Sequence, residues 1–459
     1  MSESKEFIEI SKKATEKREQ KKVLKRVASV FENALELGKN QFASLELART
    51  RAAYTRWKAI EELDKYLIEF ESNFIKRGGK VLWAQNEKEA VSEILSILSK
   101  AENKQVVKSK STVSEEVHLK EVLRKDKIEV LETDLGEFIQ DLAGEAPFHI
   151  VTPAMHKTKE EISDLLTDHF KIPIDSEPGA IVEIVRSRLR KRFSEAGVGI
   201  SGANFIISDM GAISISENEG NAALGFSFPK IHIVLTTLEK VLPTVGDTEL
   251  FWPLLATHAT GQHVTAYNHL LFGPRQSDEL DGPEEMYVIL LDNNRSNLLE
   301  QQPQRQAASC IKCGACSNVC PVFQQIGGHA YQSVYNGPIG SIINPHLRSF
   351  EDSAHLSYAT PLCGKCTEVC PVKIDLQSMF LHNRNQAVEK ENLTSKSERW
   401  AFYVWKKTML KRSSMNQGMR TKSFLLETFF KKYWGEKRSF PKLAPKSFNE
   451  IWKEENPGL

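Results

Sequence analysis

Seven cysteines, all between positions 310 and 370, are the residues of this 459-residue chain best suited to chemistry. Cys310, Cys313, Cys316 and Cys320 spell C-x2-C-x2-C-x3-C and are followed by Pro321. Cys363, Cys366 and Cys370 spell C-x2-C-x3-C and are followed by Pro371. Two-residue spacers let consecutive sulfurs converge on neighbouring irons, and the first run with its proline matches the bacterial ferredoxin pattern. In that pattern the last cysteine, displaced by one extra residue, ligates the other cluster of a pair. Gly314 and Gly364 stand where backbone must approach a cluster closely, with turned N–H groups facing its negative charge. Aligned backwards from the prolines, the second run lacks its first cysteine, and Thr360 stands in that place. Crosswise ligation then assigns Cys310, Cys313, Cys316 and Cys370 to cluster 1. Cluster 2 receives Cys320, Cys363 and Cys366 and has no fourth cysteine. Zinc is the competing reading, but structural zinc takes four ligands from paired knuckles, which two proline-terminated runs do not match. Disulfides suit neither the odd count nor a reducing compartment.

The 42 residues between Cys320 and Cys363 are rich in turn signals, Gly327-Gly328-His329 and Asn336-Gly337-Pro338-Ile339-Gly340. His329, His346 and His355 lie there and read as surface or packing residues; a fourth ligand for cluster 2 is the alternative. Elsewhere, Ser201–Asn204, Ser208–Ala212 and Glu217–Asn221 place glycine, acidic and amide residues near strand ends. Such segments mark either a ligand crevice or ordinary turns. His258, His263 and His269 do not share a helical face and read as core or loop residues. Dinucleotide-binding, P-loop and H-E-x-x-H motifs are lacking.

The elements that must position these residues fall into four stretches. Residues 1–65 are polar and proline-free, with Leu24, Val27, Phe31 and Leu35 at helical spacing, a helical arm of two or three helices. Interspersed glutamates argue against a nucleic-acid arm. Residues 66–300 alternate strand and helix. Strands are expected at Lys80–Ala84, Gln105–Lys108, Ile128–Leu131, Phe148–Thr152, Asn204–Ser208, Ala212–Ser216, Ile231–Leu235 and Tyr287–Leu291. Helices carry Val91 to Leu98, Val117–Leu123, and Leu135 to Leu142. This alternation predicts an α/β domain with a largely parallel sheet. Residues 301–380 form the helical two-cluster segment. Residues 381–459 carry 17 Lys/Arg against 8 Asp/Glu and four of the seven tryptophans. Two runs of this helical tail, Trp400–Lys407 and Phe429–Trp434, set aromatics beside basic residues and suit a protein contact better than a lipid surface.

Composition sets outer bounds. Hydrophobic content of 41% and charged content of 26% are those of a globular protein with a sizeable core. The net charge of +1 points to no nucleic-acid partner. No apolar run reaches the length of a membrane helix, and the N-terminus lacks the apolar core of a signal peptide, so a cytoplasmic chain is expected.

The runs C-I-K-C-G-A-C-S-N-V-C-P-V and L-C-G-K-C-T-E-V-C-P-V-K-I, with G-G-H-A-Y-Q-S-V-Y-N-G-P-I-G between them, resemble the iron–sulfur protein B family of bacterial L-lactate utilisation. The resemblance implies a sugar-isomerase/CoA-transferase-like fold for the α/β domain and two [4Fe–4S] clusters on the seven cysteines. It further implies an electron carrier in the oxidation of L-lactate to pyruvate, working with two companion subunits and passing electrons to an unidentified acceptor. The empty position at Thr360 leaves a [3Fe–4S] second cluster as an alternative. Two other functions stay open: an enzyme oxidising a 2-hydroxy acid in its own α/β domain, and a redox sensor.

Overall fold

The computed structural model describes residues 3–170, 178–416, 422–424, 426–430 and 444–457. Four helices come first: α1 (Glu3–Glu16), α2 (Arg18–Lys39), α3 (Leu45–Glu61) and α4 (Leu63–Lys76). On α2 the buried positions Leu24, Ala28, Phe31 and Leu35 follow helical spacing and form one apolar stripe. The start of α3 is fixed by Ser44, whose side chain accepts the Leu47 N–H.

Among the described residues ten strands follow: β1 (Lys80–Ala84), β2 (Val106–Lys108), β3 (Val130–Glu132), β4 (Val198–Ser201), β5 (Phe205–Ile207), β6 (Ala212–Glu217), β7 (Ile231–Thr237), β8 (Val241–Leu242), β9 (Tyr267–Leu271) and β10 (Glu285–Leu291). Six form one sheet in the order β1-β10-β7-β4-β2-β3, and every pairing in it is parallel. Helices connect its strands, as parallel crossovers require. Glu87–Lys100, capped by Asn86, links β1 to β2 and buries Ala90, Ile94, Ile97 and Leu98. The largely parallel α/β domain read from the sequence is present. A second sheet, β8-β5-β6-β9, pairs β5 with β8 in parallel and β6 antiparallel to β5 and β9.

In the large sheet the chain leaves β2 toward β3 at one edge but leaves β4 toward β7 on the opposite side. The winding therefore reverses between β2 and β4, and the loops at their carboxyl ends part to leave a crevice.

Three local expectations need correction. Phe148–Thr152 is not a strand; it turns back on itself, with Phe148 N–H bonded to the Pro153 carbonyl at 3.0 Å and Val151 N–H bonded to His149 Nδ1 at 3.2 Å. The expected helix Val117–Leu123 is broken at His118, which takes a left-handed φ of 49°, into Thr112–Glu116 and Leu119–Lys125. The central strand β4 was not expected. Its Gly199 is required because a Cβ there would lie 1.8 Å from the Gly225 carbonyl oxygen of the helix packed above it.

Residues 1–387 form one compact unit, so the positions at which an arm, a sheet domain and a cysteine segment were divided fall inside a single body. The cysteine segment is built from short helices around Gly337–Leu347, whose residues are all buried. One apolar cluster runs from Phe31 and Leu35 on α2 through Phe205 and Leu254 to Ile339, Ile342, Cys313, Cys316 and Cys370, with Cys310 and Cys366 packed against it. Residues 388–459 form a second unit. Within it, the helix Lys396–Met409 exposes Trp400, Phe402, Tyr403 and Trp405. The other aromatic–basic run, Phe429–Trp434, lies largely outside the described residues. Among the described residues no helix is long and apolar enough to cross a membrane.

Candidate metal centre

The two cysteine runs fold into the same local shape. The residues before Cys313 and Cys363 are left-handed, Lys312 at φ 57° and Leu362 at φ 57°. The glycine after that thiol is left-handed too, Gly314 at 75° and Gly364 at 83°, and each opens a short helix, Ala315–Asn318 or Lys365–Val369. Lys312 N–H donates to Cys310 Sγ at 3.4 Å. In the second loop Leu362 N–H donates to Thr360 Oγ1 at 3.0 Å. Thr360 thus stands in backbone terms where Cys310 stands, with a hydroxyl in place of a thiol.

Cys310, Cys313, Cys316 and Cys370 line one small cavity, together with Gly314, Ile339 and Leu376. Cys320, Cys363 and Cys366 line another, which Thr360 also borders. The last cysteine of each run therefore faces the cavity of the other run. Cys313, Cys316, Cys320 and Cys370 are buried, Cys310 and Cys366 half-buried, and Cys363 exposed. Three of the four thiols of the first cavity are buried, whereas the second has one buried thiol, Cys320, and one exposed, Cys363.

Burial pushes the thiols up, Cys366 and Cys370 to about 11 and Cys313 and Cys316 further. Neighbouring sulfurs add to this. Cys310 acts on Cys313, Cys316 and Cys370, while Cys320 and Cys363 act on Cys366. Cys316 also feels Cys366, so the two sites adjoin. Backbone amides work the other way: those of Val322 and Phe323 face Cys320, that of Ile339 faces Cys316, and Ile374 N–H donates to Cys370 Sγ at 3.4 Å. A set of soft sulfur donors crowded in apolar cavities and faced by amide N–H groups suits iron–sulfur clusters, whose charge those groups offset.

Residues far away in sequence hold these loops. Buried Arg56 on α3 donates to the carbonyls of Ser309 at 3.1 Å and Ala308 at 3.0 Å, just before Cys310, and also to those of Val241 and Glu239 beside β8. Arg49, earlier on the same helix, donates to the Cys370 carbonyl at 3.1 and 2.9 Å and to that of Glu368 at 2.7 Å. Arg295, following β10, pairs with Glu116 at 2.7 Å and Glu239 at 3.2 Å, and Tyr335 of the connector donates to Glu116 at 2.6 Å. Lys312 lies over the Tyr335 ring, 4.6 Å from its centre. Sequence reading missed all of these, and also His149, whose ring covers Gly314.

The connector histidines have other partners. His329 Nε2 meets the Ala146 carbonyl at 2.7 Å, His346 Nε2 meets Asn383 Oδ1 at 3.0 Å, and His355 Nδ1 meets the Asp352 carbonyl at 2.7 Å. None of the three borders the cavity of Thr360. His258 bonds within its helix to Leu254 at 2.8 Å and His269 bonds to Glu217 at 3.0 Å; with His263 they do not converge. Of the strand-end segments, Gly202–Asn204 and Glu217–Glu219 do meet, at the crevice between β2 and β4.

A parallel α/β domain fused to paired cysteine loops of this shape defines a protein with an iron–sulfur segment of the two-cluster ferredoxin kind. Comparison with known proteins agrees. A family model described as the LUD domain matches residues 67–291, and one described as a 4Fe-4S dicluster domain matches residues 306–374. Lactate utilization protein B of Bacillus subtilis is 42% identical over 355 residues, 77% of this chain and 74% of that protein. Its namesake in Bacillus cytotoxicus is 38% identical over 414 residues, 88% of this chain and 87% of that protein. The chain belongs to the lactate utilization protein B family. A solved DUF162 family protein from Deinococcus radiodurans aligns with 50% of this chain and 98% of its own, at 14% identity and a TM-score of 0.29, a likeness too slight to bear on the site.

Proposed function

We propose that this chain is a two-cluster electron carrier in the oxidation of L-lactate to pyruvate. It works beside two companion subunits and delivers electrons to an acceptor that awaits identification. The observation that carries the reading is the division of seven cysteines, four and three, between two adjoining cavities, the second with an exposed thiol, Cys363. Bound clusters would supply one-electron transfer at low reorganisation cost. Cys310, Cys313, Cys316 and Cys370 would hold one [4Fe–4S] cluster. Cys320, Cys363 and Cys366 would hold the other, as [4Fe–4S] or, with Thr360 offering only a hydroxyl, as [3Fe–4S]. Arg49 and Arg56 fix the backbone of both loops, so the cavities keep their shape while charge comes and goes. Cys363, on the surface, marks the side from which a partner would exchange electrons. The domain divisions near residues 65, 300 and 380 belong to the same reading, with the aromatic–basic tail as a partner contact and the cytoplasm as the compartment.

The test is reconstitution under anaerobic conditions. The isolated chain should be reduced and reoxidised rapidly and reversibly, yet should not turn over L-lactate with a dye acceptor until the companion subunits are added. Lactate turnover by the chain alone would favour an enzyme, and clusters that never change oxidation state would favour a structural role.

A further inference from the structure

Away from the thiols, Glu145, His156 and His329 each bring one donor atom within 4.8 Å of the donor atoms of the other two. The first two come from one loop of the α/β domain. The helix Leu135–Ala143 ends at Gly144, whose left-handed φ of 64° turns the chain, and Glu145 N–H bonds back to the Gln140 carbonyl at 3.0 Å. Two further turns, Met155 N–H on the Thr152 carbonyl at 3.2 Å and Lys157 N–H on that of Ala154 at 3.0 Å, bring the loop back on itself. His156 Nε2 thereby meets Glu145 Oε2 at 2.9 Å.

His329 arrives from the connector, and the two glycines before it explain how. A Cβ on Gly328 would lie 1.6 Å from the Phe148 carbonyl oxygen, and one on Gly327 would lie 2.4 Å from the Phe148 ring. A side chain at either position would hold the connector off the Phe148 turn. With glycine at both, the His329 ring centre comes within 5.1 Å of that of His156. Phe148 covers the pair, stacked on His156 at 4.3 Å and edge-on to His329 at 5.0 Å. The same ring packs with Phe323 and Cys320, so the three donors stand one side chain away from the second thiol cavity.

The groups are disposed as ligands. Burial lowers His156 to about 4 and lowers His329 as well, so near pH 7 both rings are neutral, the form that binds metal. The His156 side chain is only 9% exposed, and its Nδ1 has no hydrogen-bond partner among the described residues. No bond is lost if the ring proton moves to that nitrogen and leaves Nε2 to an ion. The Ala146 carbonyl holds the His329 ring through Nε2 at 2.7 Å, the kind of contact that orients a ligating imidazole. Lys157 Nζ takes Glu145 Oε1 at 2.8 Å, and the other carboxylate oxygen stays on the histidine side. Two imidazoles and a carboxylate, with water at the remaining corner, are the donor set of a borderline divalent ion.

We propose that Glu145, His156 and His329 bind one divalent ion of the zinc class, which clamps the Phe148 turn of the α/β domain to the connector beside Cys320. The site uses no thiol, and the proposal goes beyond the electron-carrier reading without resting on it.

Zinc titration of the anaerobically purified, iron-loaded chain, followed by X-ray absorption at the zinc edge, tests it. One zinc per chain should bind saturably with the iron content unchanged. Its shell should be nitrogen and oxygen at about 2.0–2.2 Å, without the sulfur at about 2.3 Å that thiol ligation would give. Glu145→Gln and His329→Gln should each weaken zinc by at least roughly ten- to hundredfold, since even losing the hydrogen-bond partner of a ligand costs that much. Iron content and far-UV circular dichroism show which variants keep their fold, and either one that does serves the test. The proposal is overturned by zinc that does not saturate at one per chain, by zinc bound to sulfur alone, or by a folded variant that binds zinc as tightly as the wild-type chain.

Discussion

Replacing Gly314 by alanine should damage the four-cysteine cavity far more than the same change at Gly364 damages the other. Both glycines are left-handed, and that conformation costs an L-residue roughly 1–2 kcal/mol at either position. Their surroundings differ. A methyl at 314 would lie 2.9 Å from His149 Cε1 and 3.1 Å from Val151 Cγ2. His149 cannot swing away easily: it is buried, and its Nδ1 accepts from the N–H groups of Val151 and Thr152 at 3.2 Å each. Relief requires the whole Phe148–Thr152 turn to move, and overpacking of that kind costs typically about 1–3 kcal/mol. A methyl at 364 would meet only Gln377 Oε1, at 2.9 Å, the far end of an exposed and flexible side chain. The variants should therefore differ by the overpacking alone, about 1–3 kcal/mol. If that strain is released as the cavity opens, the rates of iron loss differ roughly 5- to 150-fold. The assay is first-order bleaching of the visible absorbance by a chelator in anaerobic protein. Gly314→Ala combined with His149→Ala should recover the excess and leave only the backbone strain. Equal rates for the two single variants, or no recovery in the double variant, would refute the reasoning.

Three further outcomes follow from the same geometry. Thr360→Cys should suppress the three-iron EPR signal expected of the wild-type chain after mild oxidation, because the Leu362 N–H already points at side-chain atom 360 as the Lys312 N–H points at Cys310; a wild-type chain that gives no such signal contradicts this. Cys370→Ser should disturb the cluster of the first run and Cys320→Ser that of the second, as their cavities dictate, and EPR that assigns each loss to its own run would reverse the ligand sets. Burial alone would push Glu239 up, but Arg295 and Lys312 outweigh it and hold the carboxyl at about 2. A folded value below the ordinary one means stability present above pH 4.5 and lost as pH falls through about 2, on the order of 3 kcal/mol. Glu239→Gln should remove that contribution at pH 7 and flatten the acid limb in far-UV circular dichroism of the iron-free chain; an unchanged acid limb counts against the pairing.

The thiol loops were legible because their chemistry is local. Spacers of two and three residues, a following proline and a matching glycine lie within a dozen residues of each other. The parallel sheet was legible because β1, β7 and β10 are apolar runs separated by helical ones. The strand β4 and the outer strands β8 and β9 of the second sheet were not, since elements of two to five residues carry too little periodicity to register. Phe148–Thr152 has strand composition but serves as a cover over Gly314 and Gly327, so its apolar residues pack against loops rather than into a sheet. Arg49 and Arg56 read as ordinary charges on a polar helix. Their partners are backbone carbonyls 183 to 321 positions away, and nothing in a local pattern announces such bonds. The crevice showed only as Ser201–Asn204 and Glu217–Asn221, indistinguishable from turns until the sheet brought them together.

Iron and acid-labile sulfide analysis of the anaerobically purified chain, paired with EPR of its reduced form, tests the central claim most directly. Two clusters on seven cysteines require about eight irons with matching sulfide, or about seven irons if the Thr360 site holds three, and signals from two interacting centres. Stoichiometric zinc with negligible sulfide, or about four irons and a single isolated signal, would contradict it.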